Sequence, residues 1–319
     1  MRYRILFLMG ATAAALSTFA ADRTLVAPAE LTRVRFSTDG KTISATSRDR
    51  HIRTWDVASG KLIKDKEVPP GTAIIAPDVV AEHDRKENTI RLWDLSAERQ
   101  MQLLSGAPSR LTTVSRDRSL IATSNPEART VALFDAAGGA QKKVLQDGIG
   151  GASVLAISPD NQSLVSANYD NDIRIWKIQS GELVKKMEDM TGAMFAGEFT
   201  ADGKQLIMAG LDETVYIWDA KTFALLRKLK GHGETIASLA ISPDGKTLVT
   251  GGFDVVTTKN PVKLAFWDLA SGKITRSVRA PHQVASVAFS PDGKWVAITT
   301  GDKEVLLWST NGGSGSGAN

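Results

Sequence analysis

The stretch that decides the fold runs from Gly231 to Asp268, GHGETIASLAISPDGKTLVTGGFDVVTTKNPVKLAFWD. After Gly231-His232 the chain alternates apolar and polar residues through Ile241, the pattern of a strand packed on a core. Ser242-Pro243-Asp244-Gly245 follows. Proline presets one turn dihedral, Asp bonds back to the backbone, and Gly takes the left-handed position without steric cost. A second strand leads to Gly251-Gly252-Phe253-Asp254, and a third ends in Trp267-Asp268. Three strands joined by tight turns cannot bury two apolar faces alone, so the unit has to recur.

It does recur. The closing aromatic returns at Trp55, Trp93, Phe134, Trp176, Trp218, Trp267 and Trp308, at intervals of 38 to 49 residues. A period of roughly 40–45 residues with a Trp-Asp ending is that of a four-stranded propeller blade. On these residues the chain resembles the WD-repeat β-propeller family, with Gly231-His232 and Trp267-Asp268 as the fullest copy and Trp55-Asp56, Trp93-Asp94 and Trp218-Asp219 as looser ones. The expectation is an all-β, seven-bladed propeller of four-stranded antiparallel blades. The strand candidate at 23–27 stands ahead of the first repeat, while the last repeat stops at Trp308-Ser309-Thr310 without an outer strand. The N-terminal strand should therefore complete the last blade and remove two open edges. Blade two reads as the most eroded. In blade three Arg116-Asp117-Arg118 stands in place of the usual turn.

Arg2 and Arg4 precede an apolar run to Leu16 and then Ser17-Thr18-Phe19-Ala20-Ala21. This is the layout of a secretory signal peptide, cut after Ala20 or Ala21, and the run is too short to span a bilayer. The expected organisation is a signal peptide over 1–21, a propeller over 22–310 and a flexible Gly/Ser-rich tail over 311–319. Export into a bacterial periplasm follows as a compositional expectation, with no membrane span in the mature chain.

The formal charge of +4 falls to +2 once Arg2 and Arg4 are removed. So small a balance does not suggest a nucleic-acid partner. With no cysteine at all, disulfides, thiolate metal sites and cysteine nucleophiles are excluded. The four His residues show no ligand spacing, so neither metal nor cofactor is expected.

The family resemblance implies that a blade can be braced by a hydrogen-bonded set of His, Ser or Thr, Asp and Trp. Blade six offers His232, Thr250, Asp254 and Trp267. Blade seven offers His282, Asp302 and Trp308, with Ile298 where the hydroxyl belongs. Blade four offers Ser166, Asp170 and Trp176 without a His. A catalytic triad occurs once and lines a cleft, whereas this set recurs around the ring, so the reading is structural. The positions before each turn Asp should lie on the top face. Arg48, Tyr169, Leu211, Phe253 and Gly301 occupy them, and Val255 to Pro261 lengthens the turn beside Phe253. Exposed apolar groups clustered on a rigid scaffold mark a contact surface. The expected partner surface is thus Arg48, Tyr169, Leu211, Phe253, Val255, Val256 and Lys259, serving a non-enzymatic scaffold that binds a protein or peptide. The alternative is an enzyme or small-ligand propeller with a site in the central funnel, where Glu30, Glu198 and Glu234 would be the carboxylates to converge.

Overall fold

The computed structural model describes residues 21–106, 111–146, 151–169, 171–188, 190–253 and 262–310. The signal-peptide region, the tail, and Asp170, Asp254, Val255, Val256 and Lys259 lie outside the described residues. Seven four-stranded antiparallel sheets form a ring. The inner strands are Leu31–Phe36, Ala73–Ala76, Leu111–Val114, Ala152–Ile157, Met194–Phe199, Thr235–Ile241 and Ser286–Phe289. Each contacts the inner strands of the two neighbouring blades, and the seventh meets the first. The ring is closed as expected: the strand Arg23–Val26 pairs with Glu304–Ser309, Arg23 opposite Leu307 and Val26 opposite Glu304.

Apolar residues alternate along the strands because each blade packs on a neighbour at both faces. Accordingly, seven buried clusters sit at the seven blade interfaces. Each closing aromatic lies at the interface with the preceding blade. Trp218, for instance, packs with Val154, Val165 and Met187 of blade four. The leanest interface joins blades one and two, through Ile52, Val68, Ile74 and Val80 with Trp93 alongside. That is where the sequence pattern is most eroded.

The turns between first and second strands share one geometry in every blade except the second, where Ala76 pairs directly with Val79. In blade one Ser37 Oγ donates to Asp39 and accepts the N–H of Thr42, while Gly40 takes φ of 72°. Blade three keeps this geometry, which corrects the expectation of a replaced turn. Ser115 Oγ donates to Asp117, and Arg118 itself occupies the left-handed position with φ of 59°.

Six third-to-outer turns also end on a left-handed residue: Gly60, Glu98, Gly139, Gly181, Phe223 and Gly272. Each is followed by a register shift at the closing aromatic, a bulge of the kind such turns create. Four residues beyond each lies a donor that reaches the corresponding turn of the next blade. Lys64 binds Glu98, Gln102 binds Ala137 O, Lys143 binds Gln179 O, Lys185 binds Phe223 O, Arg227 binds Ala270 O and Arg276 binds Ser309 O. Arg23 of the N-terminal strand closes this girdle on Ala58 O at 2.7 Å. Gly181 is needed twice over, because its φ is 77° and a Cβ there would meet Lys143 Cδ at 2.6 Å.

Candidate functional site

The top face carries the second-to-third turns of each blade and the crossovers from each outer strand to the next inner strand. Among the described residues its most exposed apolar side chain is Tyr169, at 67% accessibility, with Leu211 of the next blade at 46%. Tyr169 leans on Phe195, ring centroids 5.9 Å apart and planes tilted by 49°. Phe195 opens the inner strand of blade five. The Leu211 N–H bonds to Ala193 O at 2.9 Å, so its turn is tied to the segment that carries Phe195. The three residues form an apolar patch across blades four and five. Phe195 escaped the sequence reading because it sits in a strand that looked wholly internal.

The other expected top-face residues sit differently. Arg48 pairs with Glu30, Nε to carboxylate at 2.9 Å, and both stay exposed. Phe253 is half-buried at the end of the strand Thr247–Phe253, opposite Thr235. Gly301 is a left-handed turn residue with φ of 75°. At blade two the same face holds a cleft of about 530 Å³, lined by Pro69, Pro70, Gly71 and the run Glu82 to Lys86 with Arg91.

The bracing residues do not form one repeated set. In blade six Trp267 Nε1 donates to Thr250 Oγ1 at 2.8 Å. In blade four Trp176 Nε1 donates to Ser166 Oγ at 3.0 Å. His232 is buried and bonds through Nδ1 to Glu234 O at 3.1 Å, while its Nε2 has no partner among the described residues. Burial lowers its pKa, so the ring stays neutral. In blade seven His282 Nε2 meets Asp302 at 2.9 Å on the surface, and the buried Trp308 Nε1 has no acceptor among the described residues. Ile298 explains this, because it stands where Thr250 and Ser166 supply a hydroxyl.

Other residues carry the bracing that the sequence reading assigned to histidines. Arg53, two residues before Trp55, is 2% exposed and bonds to Asp49 at 2.7 Å and Asp65 at 3.0 Å, with Ser47 Oγ at 2.8 Å. His51 Nδ1 joins the same network at Asp65. The bond to Arg53 holds the Asp49 carboxyl far below the ordinary carboxylate range. Arg174, two before Trp176, forks onto Asp172 at 3.0 and 2.7 Å. Tyr216, two before Trp218, donates to Asp212 at 2.6 Å. The readable signal is Arg or Tyr two positions ahead of the closing Trp.

In the central channel only one of the three expected carboxylates is present. Glu30 is taken by Arg48. Glu234 accepts the Lys263 N–H at 2.7 Å and pairs with Arg279. Glu198 does face the channel, where it is attracted by Arg35 and Arg116. Among the described residues no three of His, Cys, Asp and Glu come together as a metal site, and no helix is long and apolar enough to cross a membrane.

Comparison with known proteins agrees with the architecture. Residues 21–56, 143–177, 223–254 and 272–309 match the WD40 family, described as "WD domain, G-beta repeat". The matched segments fall on blades one, four, six and seven. A segment of 162 residues is 27% identical to Autophagy-related protein 16 of Arabidopsis thaliana, covering 48% of this chain and 31% of that protein. The chain thus spans about a third of the length of that relative.

Proposed function

On the premise that this chain is a seven-bladed propeller of WD40 repeats, we propose that it is a non-enzymatic module that binds a protein or peptide through its top face at blades four and five. The observation that carries this reading is the patch of Tyr169, Phe195 and Leu211. A ring fixed by seven apolar interfaces holds its turn tips rigidly, so an aromatic left two-thirds exposed there is presented at little ordering cost. Tyrosine with an apolar neighbour is the composition of an interface anchor. Val255, Val256 and Lys259, which lie outside the described residues, are included in the proposal on the sequence reading alone.

We also propose that the chain is exported, on the strength of the basic and apolar N-terminal run and the small residues at 20–21. Cleavage after Ala20 or Ala21 would leave Asp22, whose carboxylate accepts the Ser309 N–H at 2.6 Å and helps tie the closing strand. N-terminal sequencing of the protein from its native cells tests this: a start at Ala21 or Asp22 is expected, and retention of Met1 overturns it.

The binding reading is tested by affinity capture and crosslinking with wild type and the Tyr169→Ser/Leu211→Ser variant, both verified as folded by circular dichroism. A partner bound directly by wild type and at least ten-fold less by the variant is expected. Equal recovery by both proteins refutes this location for the site.

A further inference from the structure

The second feature that asks for a ligand lies at the other end of the molecule, where the channel opens among the first-to-second turns. Arg33 and Arg35 alternate along the inner strand of blade one, so they point to the same side. Among the described residues Arg35 Nη1 donates to neutral acceptors alone, Val34 O at 2.8 Å and Ser286 Oγ at 3.3 Å. Arg33 has no hydrogen bond or ion pair among the described residues, and its field acts on Arg35.

Among the described residues the carboxylate whose field acts on Arg35 is Glu198 of blade five, which also feels Arg116 from the blade-three turn. Blades one, three and five are not neighbours, so these side chains can meet only across the axial channel. Arg35 and Arg116 therefore face one carboxylate, with Arg33 beside Arg35 on the same strand. Burial, with repulsion from Arg33 added to it, lowers the pKa of Arg35 to about 10, and burial lowers that of Arg33. Channel water reaches the carboxylate of Glu198, but the surrounding protein walls raise its pKa to about 7 despite the arginines. Arginines crowded without matching anions inside low-dielectric walls concentrate positive potential, and a planar guanidinium fork suits a two-oxygen ligand.

We propose that this end of the channel binds a divalent oxyanion between Arg33 and Arg35, with Arg116 at its rim. The site is separate from the top-face patch and does not depend on the protein-binding reading. Glu198 acts as a competing internal anion. The strands packed against its own, Ala152–Ile157, Gln205–Gly210 and Thr235–Ile241, contribute no ionisable residue. Its charged neighbours are Arg35 and Arg116, with the backbone N–H of Ile241 as a further donor. When Glu198 takes up a proton, the internal competitor disappears and the external anion binds more strongly.

The test is calorimetric titration of the purified mature protein with sulfate and, separately, with succinate. Sulfate stays fully ionised between pH 6 and pH 8, so any pH dependence belongs to the protein. Saturable one-to-one binding of either anion is expected, with sulfate reporting a tetrahedral oxyanion and succinate a carboxylate ligand. Arg33→Gln should weaken it at least ten-fold, the scale of one charge-assisted hydrogen bond. Wild-type affinity for sulfate should rise several-fold from pH 8 to pH 6. Glu198→Gln should bind more tightly at pH 8 and lose that pH dependence, a response that a purely structural role would not give. Tyr169→Ser should leave anion binding unchanged, which separates this site from the top face. Absence of saturable binding by either anion overturns the proposal, as does unchanged binding by folded Arg33→Gln.

Discussion

Ring closure by the N-terminal strand makes Leu25 a residue on which the whole disc depends. The strand is four residues long, too short to hold by its ladder alone. Leu25 is 2% exposed and packs in the cluster shared by blades seven and one, with Leu31, Trp55 and Leu307. Val26, next in sequence, is 64% exposed. Truncating a buried leucine removes its transfer free energy and leaves a cavity, about 3 kcal/mol for Leu25→Ala. At about 2–4 °C per kcal/mol for a domain of this size, the melting temperature should fall by about 6–12 °C. Val26→Ala should stay within about 0.5 kcal/mol of wild type. Thermal unfolding followed by circular dichroism gives both values. Limited proteolysis should meanwhile show cleavage appearing first near the strand Glu304–Ser309, which Leu25→Ala uncovers. If the two variants melt alike, the N-terminal strand does not secure the ring and the closure argument fails.

Four further substitutions probe the bracing and the turns. Thr250→Val should lose about 1–3 kcal/mol by leaving the buried Trp267 indole N–H without an acceptor, whereas Ile298→Thr should gain about 1 kcal/mol by giving Trp308 Nε1 one; paired urea melts decide both signs. Arg53→Met should lose about 2–4 kcal/mol and also flatten the acid limb of stability. Because Arg53 depresses the folded-state pKa of Asp49, the stability it contributes is full above about pH 4, near the unfolded carboxylate value, and drains as pH falls further; a pH series of urea melts should show the variant losing less than wild type below pH 4. Gly181→Ala should lose about 1–3 kcal/mol through its left-handed backbone and the clash with Lys143, and chemical denaturation measures it.

Much of this architecture was legible because propeller sequences repeat their punctuation. The closing aromatics fixed the blade number, and the Ser-x-Asp-Gly turns fixed the phase. A missing outer strand after Trp308 beside a spare strand near Arg23 implied the closure. Blade three was misread because a side chain with a hydroxyl two residues before Asp117 preserves the turn even when Arg118 replaces glycine. The bracing was only partly readable. A hydroxyl two residues beyond the position opposite the closing Trp is visible in the repeat, but the choice between His232 and an Arg53-type network depends on what neighbouring strands offer. Arg53 draws on Asp65 of the outer strand, whose place is fixed only by pairing. The channel was harder still. Arg35 and Glu198 are remote in sequence, and alternation within a strand says nothing about which groups a closed ring will bring to its axis. Phe195 was missed for a related reason, since the end of an inner strand becomes surface only where the crossover above it leaves it open.

The top-face patch of blades four and five carries the proposed function. The most direct measurement is site-specific photocrosslinking in the native cell, with the reactive group placed at Tyr169 and, in a parallel strain, at Ile63 on the outer rim. Ile63 is exposed to a similar degree, 57% against 67%, so accessibility alone does not separate the two. The account predicts a discrete protein adduct from position 169 and none from position 63. Equal labelling at both positions, or an adduct from the rim alone, would contradict it.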